Sequence, residues 1–197
     1  MAQQRLTFKE YRNLDLVIFA ILTVVFELLI VFAANKWFPN HEYTVSIIPL
    51  ILAIVTMRWN GYSVIHALIG GIAYAVASHL VILGKINFQA VAVYALGNCF
   101  CLFSLLLFKF VGKEKICKSV WWSILYTVLV FLLIHVGHAL ISCIFHQPIN
   151  IIVNFLVNDS ISLLFAIVLV LILKRLDGVF EDQKAYLFRI QKEEKAE

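Results

Sequence analysis

Ten polar side chains sit inside otherwise apolar stretches of this 197-residue chain: Glu27, His79, Gln89, Tyr94, Asn98, His135, His138, Asn154, Asn158 and Asp159. Their chemistry is that of ligand recognition, with two carboxylates, amides, imidazoles and a phenol, and no lysine or arginine among them. Two spacings bring residues onto one helical face: His135 with His138, and Asn154 with Asn158. Each such residue is expensive in lipid, ~2.5–3.5 kcal/mol for a charge at the centre of a span, so each needs a reason. Interhelical hydrogen bonding, worth ~0.6 kcal/mol a pair, is one reason. A shared polar cavity is the other. The set argues for a cavity more strongly than any member does. His66, which falls at the other end of its helix, is expected to stand apart from it.

Other chemistries are weaker in the text. The pair His135-x-x-His138 has the look of a metal or haem pair, but it needs facing ligands from another helix, and only His79 offers itself. Cys99 and Cys101 are two apart on a helix and point to different faces, and buried Cys behaves as a small apolar residue. Neither a metal nor a cofactor is therefore expected. There is no H-E-x-x-H or G-x-S-x-G motif, and Gly112-Lys113 lacks the rest of a phosphate-binding loop. The chain is read as a binding protein, not an enzyme, and as one unable to hydrolyse ATP.

The elements that position these residues follow from hydropathy and charge. Apolar residues make up 62% of the chain and fall into six blocks: 14–38, 43–59, 61–83, 88–111, 120–144 and 151–173. About 20 apolar residues cross a bilayer as a helix. The block 43–59 is short and carries Pro49, so it is either a span or a re-entrant segment. The first block is too long for the apolar core of a cleaved signal. With six spans and cytoplasmic termini, fourteen of the sixteen Lys and Arg residues fall on the inner side, and only Lys36 and Lys85 fall outside. The positive-inside rule favours this arrangement over five spans. Trp37 marks the outer interface; Trp59, Trp121 and Trp122 mark the inner one. The polar residues then lie in the outer half. The expected fold is an all-α membrane protein, six transmembrane helices in a compact bundle, a single domain over 1–197 with a cytoplasmic amphipathic tail at 174–197. The net charge of +4 reflects this bias and not a nucleic-acid footprint.

Two faces could meet partners. Ala67, Gly71 and Ala75 repeat every four residues, which lets helix backbones approach closely, either inside the bundle or against another membrane subunit. In the tail, Leu176, Val179, Phe180, Leu187 and Ile190 recur near one face, as in a helix lying on lipid or a docking surface. No pairing of discontinuous half-helices in two inverted halves is legible, as a self-sufficient secondary transporter often shows.

Six short-looped helices with an outward polar pocket resemble the substrate-binding subunits of energy-coupling-factor transporters. Local text is similar to members from Gram-positive bacteria: Lys36-Trp37-Phe38-Pro39, then Met57-Arg58-Trp59-Asn60-Gly61 through His66-Ala67-Leu68-Ile69-Gly70-Gly71, and the tail Asp177-Gly178-Val179-Phe180-Glu181-Asp182-Gln183. The resemblance implies a multi-pass protein of the plasma membrane that captures a vitamin or similar micronutrient at the outer face. It would then dock on a transmembrane coupling subunit driven by two ATPases. Many members carry Ala-x-x-x-Ala on the first helix for docking. Here Ala20 is followed by Val24, so Ala20, Thr23 and the small face of the third helix are the expected substitutes. The lack of pocket Lys or Arg favours cationic or neutral hydrogen-bonding substrates, unless Lys36 or Lys85 folds over from a loop. Rod-shape morphogenesis scaffolds, which bind no ligand, are similar in size and span number.

Overall fold

The computed structural model describes residues 7–38 and 43–194. Pro39, and with it part of the loop that follows the first helix, lies outside the described residues. Within them every regular element is helical. In chain order these are α1 (Phe8–Trp37), α2 (Ile48–Trp59), α3 (Ser63–Leu83), α4 (Phe88–Asn98), a 3₁₀ stretch (Cys99–Ser104), α5 (Leu105–Phe110), α6 (Lys113–Lys118), α7 (Val120–Ile144), α8 (Ile151–Asn158), α9 (Ser160–Leu173) and α10 (Gln183–Glu194). A further one-turn 3₁₀ helix, Asn60–Tyr62, joins α2 to α3.

Local chemistry sets the ends. Thr7 and Glu10 form a reciprocal capping box at the start of α1, Asn87 caps α4, and Ser119 caps α7. Gly84, with φ +65°, ends α3 in the left-handed conformation that glycine adopts without a Cβ penalty. Along α1 only Leu16, Thr23, Glu27 and Val31 are buried. That is one narrow stripe, spaced at seven, four and four residues. The rest of the helix presents Val17, Ile21, Val25, Leu29 and Phe32, all apolar and exposed. Such a surface suits lipid and not water.

Four stretches are long and apolar enough to cross a membrane: Phe8–Trp37, Ile48–Val81, Phe88–Phe110 and Val120–Ile144. The pair α8 and α9, bent by 50° at Asp159, makes a fifth. The molecule is thus a membrane-embedded helical protein. The stretch Ile48–Val81 is not one straight rod. A Cβ on Gly70 would lie 3.1 Å from Ile48 Cγ1, so the chain reverses at the Asn60 turn and α2 packs back along α3.

Here the structure departs from six equal spans. Of the block 43–59 only the last twelve residues are helical. A helix of that length rises about 18 Å, well short of the ~30 Å hydrocarbon thickness. Residues 43–46 belong to no regular element. Every residue of α2 is buried, from Ile48 to Trp59, among α1, α3, α7 and α9. This short helix is the core of the bundle, which explains why its apolar residues show no facial periodicity. Pro49 sits in its first turn, where the missing N–H costs nothing.

The small-residue faces turn inward. A Cβ on Gly71 would lie 2.5 Å from Ala95 Cα, and Ala67 and Ala75 are fully buried. Thr23 is buried too, against Gly70. Gly97 and Gly137 bring α4 and α7 into backbone contact in the same way. The expectation that Thr23, Ala67, Gly71 and Ala75 offer a docking face is corrected: they are occupied by α2, α3 and α4. Only Ala20 of that set stays half-exposed.

Candidate functional site

The two ends of the bundle differ in chemistry. At the end where α1 begins and α10 lies, a dense network closes the structure. Arg58 grips Asp15 with two hydrogen bonds, Nε to Oδ2 at 2.9 Å and Nη2 to Oδ1 at 2.7 Å, and Trp59 Nε1 donates to Asp15 Oδ2 at 2.5 Å. The same guanidinium donates to the carbonyls of Gly178 and Val179. Gln183, fully buried, accepts from the Tyr11 hydroxyl and donates to Gly178 O. Lys113 donates to Met57 O and Asp182. Burial pulls the Lys113 ammonium below its usual range, and Asp182 partly offsets this. Phe180 is buried against Tyr126. The tail is therefore stapled to the bundle through 177–183 before α10 begins.

At the other end lies a small pocket lined by several polar side chains. Its walls come from α3 (Tyr74), α4 (Tyr94, Asn98), α7 (Ile134, His135, His138), the break between α8 and α9 (Asp159), and the segment leading into α2 (Ser46, Ile48, Pro49). Its interior, about 20 Å³, has room for roughly one water molecule.

Hydrogen bonds fix the orientation of most lining groups. Asn98 Nδ2 donates to Ala67 O at 3.2 Å, so its oxygen faces His138 and accepts from Nε2–H at 2.9 Å. His138 therefore carries a proton on Nε2. His135 is held differently. Its Nδ1 lies 2.7 Å from Phe131 O, an acceptor only, so Nδ1 is the donor. Its Nε2 lies 2.9 Å from Asp159 Oδ2, and one proton is held between the two. The other Asp159 oxygen accepts from the Thr44 hydroxyl.

The segment 43–47 runs beside the pocket like a strap. Thr44 N donates to Asn158 O at 2.9 Å, and Ser46 N donates to Ser162 Oγ at 2.9 Å. Ser46 Oγ and Ile47 N both donate to Glu27 Oε2 at 3.1 Å. Glu27 is completely buried, and its Oε1 has no partner. Its carboxyl group thus sits at the N-terminus of α2, where it accepts the otherwise free Ile47 N–H. The irregular backbone of 43–47 meets the break in α8 and α9, and each satisfies polar groups of the other. The pairing joins a non-helical segment to a helix break, not two discontinuous half-helices in inverted halves.

Of the ten sequence-derived candidates, Tyr94, Asn98, His135, His138 and Asp159 converge on the pocket. Glu27 stands behind Ser46. The rest lie elsewhere. Gln89, Asn154 and Asn158 are exposed, and Asn158 contributes only its backbone carbonyl. His79 is half-buried on α3 and lines no part of the pocket. His66 is apart as expected, bonded through Nε2 to Leu16 O. Lys36 and Lys85 are exposed and line no part of it. Sequence reasoning missed Thr44, Ser46, Tyr74 and Ser162. The first two had a signal, since hydroxyls just ahead of a Pro-bearing helix start are capping residues. Tyr74 and Ser162 had none.

Among the described residues no three His, Cys, Asp or Glu side chains come together as a metal site. His135 and His138 turn their Nε2 atoms to different partners. The cysteines Cys99, Cys101, Cys117 and Cys143 are all free thiols.

Fold and site together define a class: a membrane-embedded helical bundle, tied together by polar contacts at the end where α1 begins and α10 lies, with a small pocket of polar side chains at the other. No protein-family model, curated protein or solved structure matches the chain.

Proposed function

We propose that the chain is the substrate-binding membrane subunit of an energy-coupling-factor importer, capturing a vitamin or related micronutrient at the outer face. The observation that carries this reading is the pocket itself. Five helices or helix breaks converge there and bring two imidazoles, an amide, a carboxyl group and two phenols together.

Three further points support it. The positive-inside rule assigns the end bearing both termini to the cytoplasm, and so turns the pocket outward. This gives six crossings, the second built from the non-helical segment 43–47 and the half-length helix α2. The cytoplasmic end is closed by the Arg58–Asp15 grip and by Phe180, which suits a protein that binds ligand without conducting it. Without a phosphate-binding loop, energy must come from partners, namely a transmembrane coupling subunit and two ATPases. The plasma membrane of a Gram-positive bacterium is the proposed location. A vitamin-sized ligand needs more room than one water, so binding requires the strap at 43–47 to move aside. The docking surface falls to faces left free, among them Ala20 and the exposed side of α10.

One observation favours a ligand-free scaffold of the rod-shape morphogenesis type, namely that the pocket as it stands has room for only about one water molecule. Mass spectrometry of small molecules released from the purified protein separates the two readings. A stoichiometric vitamin-sized compound is expected. Nothing released, together with no vitamin raising the melting temperature, refutes the binding reading. Topology is checked with single cysteines in a cysteine-free background: Gln147→Cys should label from outside intact cells, and Glu114→Cys should not.

A further inference from the structure

We propose that the corner formed by the turn from α5 through α6 into α7 is a seat for the headgroup phosphate of an anionic phospholipid. This holds whatever the pocket at the other end binds. α5 closes the apolar stretch Phe88–Phe110, and α7 opens the stretch Val120–Ile144. The residues between them therefore lie where hydrocarbon gives way to headgroups. Two large aromatic side chains mark that level, Phe110 at 85% exposed and Trp121 at 80%. Aromatic rings collect at this boundary of a bilayer.

Charge supplies the chemistry. A groove of about 580 Å³ runs along the turn, lined by Val111, Gly112, Glu114, Lys115, Lys118 and Ser119. Lys109 and Lys115 are exposed, and neither has a carboxylate partner among the described residues. Lys115 Nζ stands 5.4 Å from the centre of the Trp122 ring, so an ammonium sits at the aromatic level. Lys118 pairs with Glu114 at 2.6 Å, but the two side chains are 76% and 81% exposed. An ion pair so hydrated holds its lysine weakly. Lys174 Nζ donates to Ser123 Oγ at 3.0 Å, which brings a further lysine, at the end of α9, to the start of α7.

The acids nearby do not cancel this charge. In the neighbouring groove Lys113 takes Asp182 and Arg189 takes Glu181, which leaves the tail side neutral. What remains at the corner is Lys109, Lys115, Lys118 and Lys174 against Glu114 and Asp177. A partner that suits it must be negative and must lie flush with hydrocarbon. A phosphodiester carrying acyl chains meets both conditions, whereas a soluble anion meets only the first. The positive-inside rule turns this end toward the cytoplasmic leaflet, whose anionic lipids are drawn to lysines at the membrane surface.

Native mass spectrometry of the purified full chain tests this, after equilibration in micelles holding equal amounts of dioleoylphosphatidylglycerol and dioleoylphosphatidylcholine. The phosphatidylglycerol adduct should be retained at least about fivefold over the phosphatidylcholine adduct. Combining Lys109→Gln, Lys115→Gln and Lys118→Gln should abolish that preference. Combining Lys9→Gln, Lys184→Gln and Lys192→Gln removes the same charge from exposed positions at the same end, and should leave the preference intact. If the first combination fails to fold, Lys115→Gln alone should still lower the preference, and Lys115→Arg should keep it. Inorganic phosphate at millimolar concentration should not displace the lipid. Equal retention of the two lipids by the unaltered chain overturns the proposal. Equal loss in both combinations overturns the seat and assigns the preference to overall charge. Displacement by inorganic phosphate overturns the lipid as occupant.

Discussion

Replacing Gly97 by alanine is the most direct way to couple packing to the pocket. A Cβ at this position would lie 2.4 Å from His138 Cδ2, 2.7 Å from its backbone N and 2.9 Å from its Cα. Ordinary contact begins near 3.4 Å. The ring must therefore retreat by about 1 Å, and because two of the three obstacles are backbone, α7 must move with it. A retreat of that size stretches the His138–Asn98 hydrogen bond from 2.9 Å past any useful length. Overpacking costs about 1–3 kcal/mol. The lost buried hydrogen bond adds about 1–3 kcal/mol. Alanine's better helix propensity returns about 1 kcal/mol. The net loss is about 1–5 kcal/mol, or several degrees of melting temperature for a chain of this size. The assay is thermal unfolding of the purified protein in detergent, with ligand affinity measured alongside. Gly61→Ala serves as the control, since nothing lies within 4 Å of the place its Cβ would take. If Gly97→Ala melts with the wild type and binds as well, the close approach of α4 and α7 does not hold the pocket together.

Three other outcomes are expected. Asp15→Asn leaves the buried Arg58 guanidinium without its counter-charge and should cost about 3–5 kcal/mol in unfolding assays; a loss under about 1 kcal/mol would make the grip superficial. Glu27→Ala strands the Ile47 N–H and the Ser46 hydroxyl, about 1–3 kcal/mol each, whereas Glu27→Gln keeps an acceptor for them. Equal melting of the two variants would show that the carboxyl does not cap α2. Burial pushes the Cys117 thiol up to about 11, so its alkylation by maleimide at pH 7.5 should lag that of a free cysteine and climb steadily to pH 10. A rate at pH 7.5 matching the free thiol would contradict that burial.

Much of the helical plan was legible because lipid-facing helices advertise themselves through length and hydropathy. The stripe of α1 and the long α7 are examples. The interior was harder to read. The twelve apolar residues of α2 look like a weak span, yet they form the centre of the bundle, and no period distinguishes the two in a segment buried on every side. The polar candidates show a similar division. Asn98, His135, His138 and Asp159 were recognisable because a buried polar group in an apolar run needs a partner. Asn154 and Asn158 shared that signature but lie just before the 50° break at Asp159, which rotates their side chains outward. A bend of that kind is a tertiary event, set by the strap that pairs with it. The small face of α3 is a close-approach surface, as its spacing suggests. Its partner is α4 of the same chain.

The half-length helix α2 bears on how the protein is made. A nascent segment enters the bilayer when its own transfer from water is favourable, and that decision is taken helix by helix as the chain emerges. Ile48–Trp59 is too short to settle it alone, carries Arg58, and in the finished fold is enclosed by protein. Its place is secured only after α3, α7 and α9 have been synthesised, more than a hundred residues later. Until then the guanidinium lacks its Gly178 and Val179 acceptors. Biogenesis of this protein therefore has a late step, the seating of its own core, during which the unfinished chain depends on whatever shelters that segment in the meantime.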